Sequence, residues 1–321
     1  MLTLFSTPKP FVGHIGVIQR NALRSWKLLH PDVEIILFGD DLGAGEAAQE
    51  LGIRHEPEVR EGEHGTKYQD RVLPHLDYLF ERAQQVARHD LLCYVNCDIL
   101  LTDRFLASAA ISGHRGVPFL MVGRRWDIDI TDPLDFSHEH WQDQLMASVA
   151  ERGRSRPPWY IDYFVFKRGL YQNLLPLVIG RVNWDNWLIW KASSVGAIVV
   201  DASPFFRAVH QNHDYSGHPQ GEKGIWNDSL AARNRDLAGG KEHLWTIEHA
   251  THEIMTSGKL RRKGFRDDFK RVMFDVLVHR TFGLRNSLGI RRTGWLGTIL
   301  RRQVLRGGQP RSSNKGKQDA F

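Results

Sequence analysis

The segment YVNCDILL, residues 94–101, begins as a buried β-strand and then carries Asn96 and Asp98 where an apolar run should continue. Residues two apart on a strand project from one face, so both polar side chains are expected to meet whatever lies above the sheet edge. A carboxylate there is a natural oxygen ligand for Mg²⁺ or Mn²⁺, which proteins hold with one or two carboxylates and share with substrate phosphates. The neutral Asn96 suits a ribose hydroxyl or a metal-bound water better than the metal itself. A plainer role is equally open, in which Asp98 caps the following turn or pairs with Arg104. Cys93 and Cys97, the two cysteines of the chain, would lie about 13 Å apart on such a strand, too far for a disulfide.

The elements around this strand end have the rhythm of a parallel sheet with crossover helices. LTLFS (2–6) reads as a strand broken by the Thr7-Pro8-Lys9-Pro10 turn, VIQRNALRSWKLL (17–29) as a helix, and VEIILFGD (33–40) as a buried strand ending in Gly-Asp. AGEAAQELG (44–52) is a short helix stopped by Gly52, GIRHEPEV can hold a third strand, and RVLPHLDYLFERAQQVA (71–87) is expected as one longer helix despite Pro74. LLCYVNCD (91–98) is then a strand whose C-terminal end is where open α/β sheets place ligands. Beyond it, 118–130 and 161–171 read as strands, 183–196 as a helix, 197–203 as a strand and 205–226 as a loop rich in His, Asn and Gly. There is no internal repeat, and no linker before about residue 260.

With 321 residues, 41% of them hydrophobic, 10 Trp and 16 Phe, the chain can bury one large α/β core or two modest ones. No stretch reaches the roughly 18 consecutive apolar residues of a membrane span, and MLTLFSTPKPF lacks the features of a signal peptide. A cytoplasmic, reducing location is therefore expected, and 16 His without a CxxC give no structural zinc site. The net charge of +6 is uneven: residues 261–321 hold 16 Lys+Arg and 4 Asp+Glu, a balance of +12, leaving −6 for residues 1–260. The basic pI thus belongs to the tail, and no nucleic-acid partner is expected for the body.

Taken together, FSTPKPFVGHIGVIQRNALRSW, FLMVGRRWD, IDYFVF, WDNWLIWKA and HQNHDYSGH make residues 2–255 similar to a group of bacterial GT-A glycosyltransferase-like proteins. The resemblance implies a GT-A, Rossmann-like mixed sheet flanked by helices, and a nucleoside diphosphate sugar as donor. The GT-A Asp-x-Asp motif bridges Mn²⁺ or Mg²⁺ and the donor diphosphate; here Asn96 replaces the first Asp, so the metal would rest mainly on Asp98. A His late in the second half commonly completes that site, which brings forward His210, His213 and His218, with His213 preferred. HPQGEKGIW (218–226) resembles, one residue short, a His-x-x-Gly-x-x-Lys-Pro-Trp signature, and this gives Lys223 to the diphosphate beside Gly221. The same resemblance puts Thr7, Lys9 and Asp40 around the base and ribose, with Gly65-Thr66 and Arg20 as further candidates.

Glycosyl transfer needs neutralisation of the diphosphate and, in an inverting reaction, a base for the acceptor hydroxyl. Asp185 in NWDNWL is the first choice, because Trp184, Trp187 and Trp190 can offer sugar platforms beside it and Asn186 a polar contact; Asp162 and Asp127 compete. An Asp before NWLIWKA is also what a helix N-cap looks like, and the tryptophans can equally be core. Arg124 and Arg125 can bind phosphate or an acidic acceptor, or pair with Asp127 or Asp129.

In the tail, Phe265, Phe269, Val272, Met273, Val276 and Leu277 share a helical face, as do Ile290, Trp295, Leu296, Ile299, Leu300 and Val304. Basic amphipathic helices of this kind lie in the headgroup layer of anionic membranes, or else pack on an acidic surface. The expectation is a single GT-A domain, residues 1–260, with a basic extension, 261–321, that transfers sugar to a saccharide or lipid-linked acceptor. A nucleotidyltransferase, or a non-catalytic carbohydrate- or membrane-binding adaptor, are the rival readings.

Overall fold

The computed structural model describes residues 1–113, 116–214 and 218–264. The chain divides into two units, Met1–Asp267 and Asp268–Phe321, and every element below belongs to the first. The amphipathic helical faces expected beyond residue 264, and the polar end from residue 307, lie outside the described residues.

The first half alternates strands and helices: β1 (Leu2–Ser6), α1 (Gly13–Lys27), β2 (Glu34–Phe38), α2 (Ala44–Leu51) and β3 (Arg54–Glu56). A hairpin of β4 (Gly65–Tyr68) and β5 (Arg71–Pro74) precedes α3 (Leu76–Val86) and β6 (Leu91–Val95), which turns into β7 (Ile99–Leu100) and α4 (Asp103–Gly113). Next come β8 (Phe119–Val122), β9 (Arg125–Ile128), α5 (Trp141–Arg152), β10 (Arg154–Ser155) and β11 (Tyr163–Lys167). The remainder holds α6 (Trp184–Ser194), β12 (Ile198–Asp201), β13 (Ala208–Gln211), α7 (Gly221–Asn227), α8 (Ser229–Leu237), β14 (His252–Ile254) and β15 (Leu260–Arg262).

Among the described residues these strands form a nine-stranded sheet in the order β15-β14-β12-β8-β11-β6-β1-β2-β3 and a four-stranded sheet, β10-β9-β13-β7, besides the hairpin. In the large sheet only β11 and β15 run against the rest. The result is the expected α/β class, a mixed sheet flanked by helices. Period-two alternation divides the strands cleanly: Phe5, Ile36, Tyr94, Leu120 and Phe164 face one core with α3 and α6, while Leu4, Leu37, Val95, Met121 and Val165 face another with α1, α2 and α4. Cys93 and Cys97 are free thiols buried in the second core.

Four local expectations change. Residues 71–87 are not one helix: Arg71–Pro74 pairs with Gly65–Tyr68, and the helix starts only after Pro74, which cannot donate a backbone bond in a helix interior. The 118–130 stretch is two strands in two sheets, separated at Gly123-Arg124, where the Tyr163 hydroxyl leaves no room for a Cβ on Gly123. The 205–226 loop contains β13 and α7. Finally, β6 ends at Val95, so Asn96 and Asp98 stand in a turn, and strand alternation no longer dictates that they face the same way.

Candidate active site

The turn after β6 is the place where the two larger sheets meet, and strand register assembles the site there. β7 follows Asp98 directly and pairs Ile99 with His210 of β13, which brings the imidazole beside the carboxylate. On its other side β13 runs parallel to β9 and sets His210 opposite Asp127. In the large sheet the antiparallel β11 pairs Tyr163 with Val95, so the residue before it, Asp162, arrives beside Asn96. β1 ends next to β6 and feeds the turn that carries Lys9.

Asp98, His210 and His213 can each offer one ligand atom, and those atoms lie within 4.8 Å of one another. Asp98 Oδ2 is 3.2 Å from His213 Nε2, 3.8 Å from His210 Nε2 and 3.9 Å from Lys9 Nζ. Asp98 Oδ1 is buried with no hydrogen-bond partner, so a cation supplied to the site would meet an oxygen that is otherwise unsatisfied. His210 turns Nδ1 toward Asp127 Oδ1 at 3.2 Å, an arrangement that fixes the ring and leaves Nε2 to face Asp98. His213 donates through Nδ1 to the Asp214 carbonyl at 2.6 Å, which again presents Nε2. Burial works to raise the Asp98 pKa, but His210, His213 and Lys9 outweigh it and hold the carboxyl far below the usual range.

Buried amides fix this geometry. Gln211 donates to the Asp98 carbonyl through both its backbone N–H and its side chain, and its side-chain oxygen accepts from Asn21 of α1 at 3.0 Å. Gln19 accepts from the Lys9 backbone N–H at 2.7 Å and donates to the Lys9 carbonyl at 2.8 Å. The sequence does carry a signal for these residues: Gln19 and Asn21 are polar interruptions on the buried side of an otherwise amphipathic helix, and neither was singled out.

The second cluster centres on Asp162. Its carbonyl accepts from Asn96 N–H at 2.9 Å and its Oδ1 accepts from Asn96 Nδ2 at 2.6 Å, while the Tyr94 hydroxyl donates to Asn96 Oδ1 at 3.0 Å. Both ends of the Asn96 amide are therefore engaged by protein rather than by a ribose. A carboxylate at position 96 would set two charged oxygens at that short separation, which is a physical reason for Asn where the GT-A pattern has Asp. Arg125, buried, binds Asp162 at 3.3 Å and Asp127 at 2.9 Å, and its guanidinium lies 5.0 Å from the centre of the Tyr160 ring. Asp185 sits in the first turn of α6 with Oδ1 buried and unpartnered. Burial, reinforced by the charge on Asp162, raises its pKa to about 7 against the opposing pull of backbone N–H groups at the helix start.

Other candidates from the sequence fall elsewhere. Arg124 pairs with Glu248 at 2.9 Å, so of the two arginines only Arg125 turns inward. Arg20 pairs with Glu50 at 3.1 Å on the outer side of α1. Trp184 and Trp187 are core residues, Trp184 packing edge-on to Tyr94 at 5.2 Å, so neither ring is a sugar platform. Asn186 is tied to Trp245 at 2.9 Å. Lys223 is exposed on α7, and His218 pairs with Asp228 at 3.5 Å outside the Asp98 cluster. Thr7 and Asp40 stand at the adjoining ends of β1 and β2, with Thr7 Oγ1 3.7 Å from where a Cβ on Gly39 would stand. Thr66 is bonded to His75 at 2.8 Å. Arg71, not anticipated, links Asp41 at 2.9 Å to the Pro8 carbonyl at 3.0 Å and so braces the Lys9 turn.

No protein-family model matches the chain, and no curated protein matches it in sequence. Among solved structures it is similar to glucosyl-3-phosphoglycerate synthase of M. tuberculosis, with a TM-score of 0.46 and 11% identity over 75% of this chain and 81% of that one. The complex of that synthase with Mg²⁺ and uridine diphosphate gives 0.44 and 13% identity over 75% and 80%. TarS of S. aureus gives 0.42 and 9% identity over 65% of this chain and 60% of that one. At these values the likeness assigns neither a family nor a reaction.

Proposed function

We propose that the chain is a metal-dependent glycosyltransferase of the GT-A type, moving a sugar from a nucleoside diphosphate donor to a saccharide or lipid-linked acceptor. The observation that carries this reading is the convergence of Asp98, in the turn after β6, with His210 and His213 at the end of β13, their ligand atoms within 4.8 Å. Asp98 and the two histidines would hold the cation, and two imidazoles in the set favour Mn²⁺ over the oxygen-seeking Mg²⁺. The bound ion would neutralise charge on the departing diphosphate. Thr7 and Asp40 line the neighbouring strand ends where base and ribose would lie, and Lys223 is the candidate for a further phosphate contact. Asp185, with its pKa near 7, is the group suited to take the acceptor hydroxyl proton, and Asp162, held by Asn96 and Arg125, is its charged neighbour.

A thermal-shift panel of nucleoside diphosphate sugars with and without Mn²⁺, run on the native chain and on Asp98→Asn, tests the reading. The expected result is stabilisation by one donor class that requires Mn²⁺ and vanishes in the variant. A native chain that no donor stabilises in the presence of Mn²⁺, or a variant that responds like the native chain, would overturn it.

A further inference from the structure

We infer that Lys9 is the internal counter-cation of the Asp98 site and that a divalent cation binds there only by displacing its ammonium. The inference rests on the reading of Asp98, His210 and His213 as metal ligands. Lys9 Nζ stands 3.0 Å from His213 Nε2 and 3.9 Å from Asp98 Oδ2. These are two of the atoms that a metal would join. His213 donates through Nδ1 to the Asp214 carbonyl and turns Nε2 to the Asp98 oxygen at 3.2 Å, so the ammonium stands against both members of that contact.

The neighbouring cations are committed elsewhere, Arg71 to Asp41 and the Pro8 carbonyl, Arg125 to Asp127 and Asp162. A divalent ion sits about 2.0–2.2 Å from its imidazole and carboxylate ligands, well inside the distance at which the ammonium now stands, and the two positive charges repel. The Lys9 side chain is built to leave. The side chain as a whole is 46% exposed, while its backbone is locked by the paired Gln19 hydrogen bonds and flanked by Pro8 and Pro10. Only the four-carbon stem has to move. While no metal is bound, the ammonium compensates charge on the buried Asp98 carboxylate beside the two histidines.

Two measurements on the full chain test this. Calorimetric Mn²⁺ titration of the native chain, Lys9→Met, Lys9→Gln and Asp98→Asn should show both Lys9 variants binding about tenfold or more tightly than native, since a like charge near 4 Å is removed. Acetylation of the native chain by a soluble amine reagent, read by peptide mass spectrometry, should show Lys9 modified faster when Mn²⁺ is present, because its amine is released to water. Lys9 variants that bind Mn²⁺ no more tightly than native, or a Lys9 acetylation rate that Mn²⁺ leaves unchanged or slows, would overturn the inference. Should native bind Mn²⁺ and Asp98→Asn lose it in that case, the ligand assignment survives and only the role of Lys9 falls. Equal binding by native and Asp98→Asn, or none by native and the Lys9 variants alike, overturns both.

Discussion

Asp98 and Asp185 are buried carboxylates that their surroundings drive in opposite directions, which under the proposed function would give a permanently charged ligand and a proton acceptor near neutrality. Burial opposes ionisation of both, but Asp98 has two histidines and Lys9 around it, whereas Asp185 has the negative Asp162. A carboxyl raised to about 7 in the folded chain favours folding fully below its unfolded value near 3.8, and that contribution declines as pH rises through about 7. Asp185→Asn copies the neutral form. Melting temperatures followed across that range should therefore coincide at the acid end and separate in favour of the variant as pH rises. A gap that stays constant with pH, or opens the other way, would contradict the buried-carboxyl assignment. In transfer assays the native rate should climb with the ionisation of Asp185, and the variant should lose about 10²- to 10⁴-fold, the usual worth of a general base.

At the level of elements, the site depends on how strands pair and where helices start. α6 starts after Asn183, which adopts the left-handed conformation, φ 82 and ψ −15, and Asp185 in its first turn feels the charge of Asp162. Asn accepts that conformation and Gly more readily still, while a β-branched residue is strained in it. Asn183→Gly should unfold in urea close to native, and Asn183→Val should lose about 1–3 kcal/mol. An unimpaired valine variant would show that the turn is not required. The strand-helix rhythm of the first half was legible because apolar runs and turn residues are local signals, whereas the strand expected to reach Asp98 stops at Val95. What was hidden is non-local: the pairing of His210 with Asp127, the meeting of Asp162 with Asn96, and the choice of Arg125 over Arg124 depend on register between distant strands. A local pattern reaches too far at residues 71–87, where helical periodicity runs back across Pro74 into a strand, and of the two roles open to Trp184 and Trp187 the packing selects core.

On the scale of the whole chain, charge is separated along the sequence: residues 268–321 hold 12 Lys+Arg against 3 Asp+Glu, a balance of +9, which leaves −3 for residues 1–267. Among the described residues no helix is long and apolar enough to cross a membrane. A basic segment with Trp295, Leu296 and Leu300 has the composition to meet a lipid-anchored acceptor at an anionic surface, each basic residue there contributing about 1 kcal/mol. The boundary for a test is set by the sheet. β15 closes its edge through Arg262, and Lys263 still bonds to the Thr251 carbonyl and pairs with Asp201, so a cut must fall after these residues. Removal of residues 268–321 should leave the melting temperature and Mn²⁺ affinity of the first unit close to native while abolishing co-sedimentation with phosphatidylglycerol vesicles. Binding by the full chain should weaken steeply as salt rises, since screening shortens the reach of exposed charges to about 8 Å at physiological ionic strength. Vesicle binding that survives the deletion, or a full chain that ignores anionic vesicles at low salt, would reject a membrane role for the tail and leave an acceptor free in solution as the better fit.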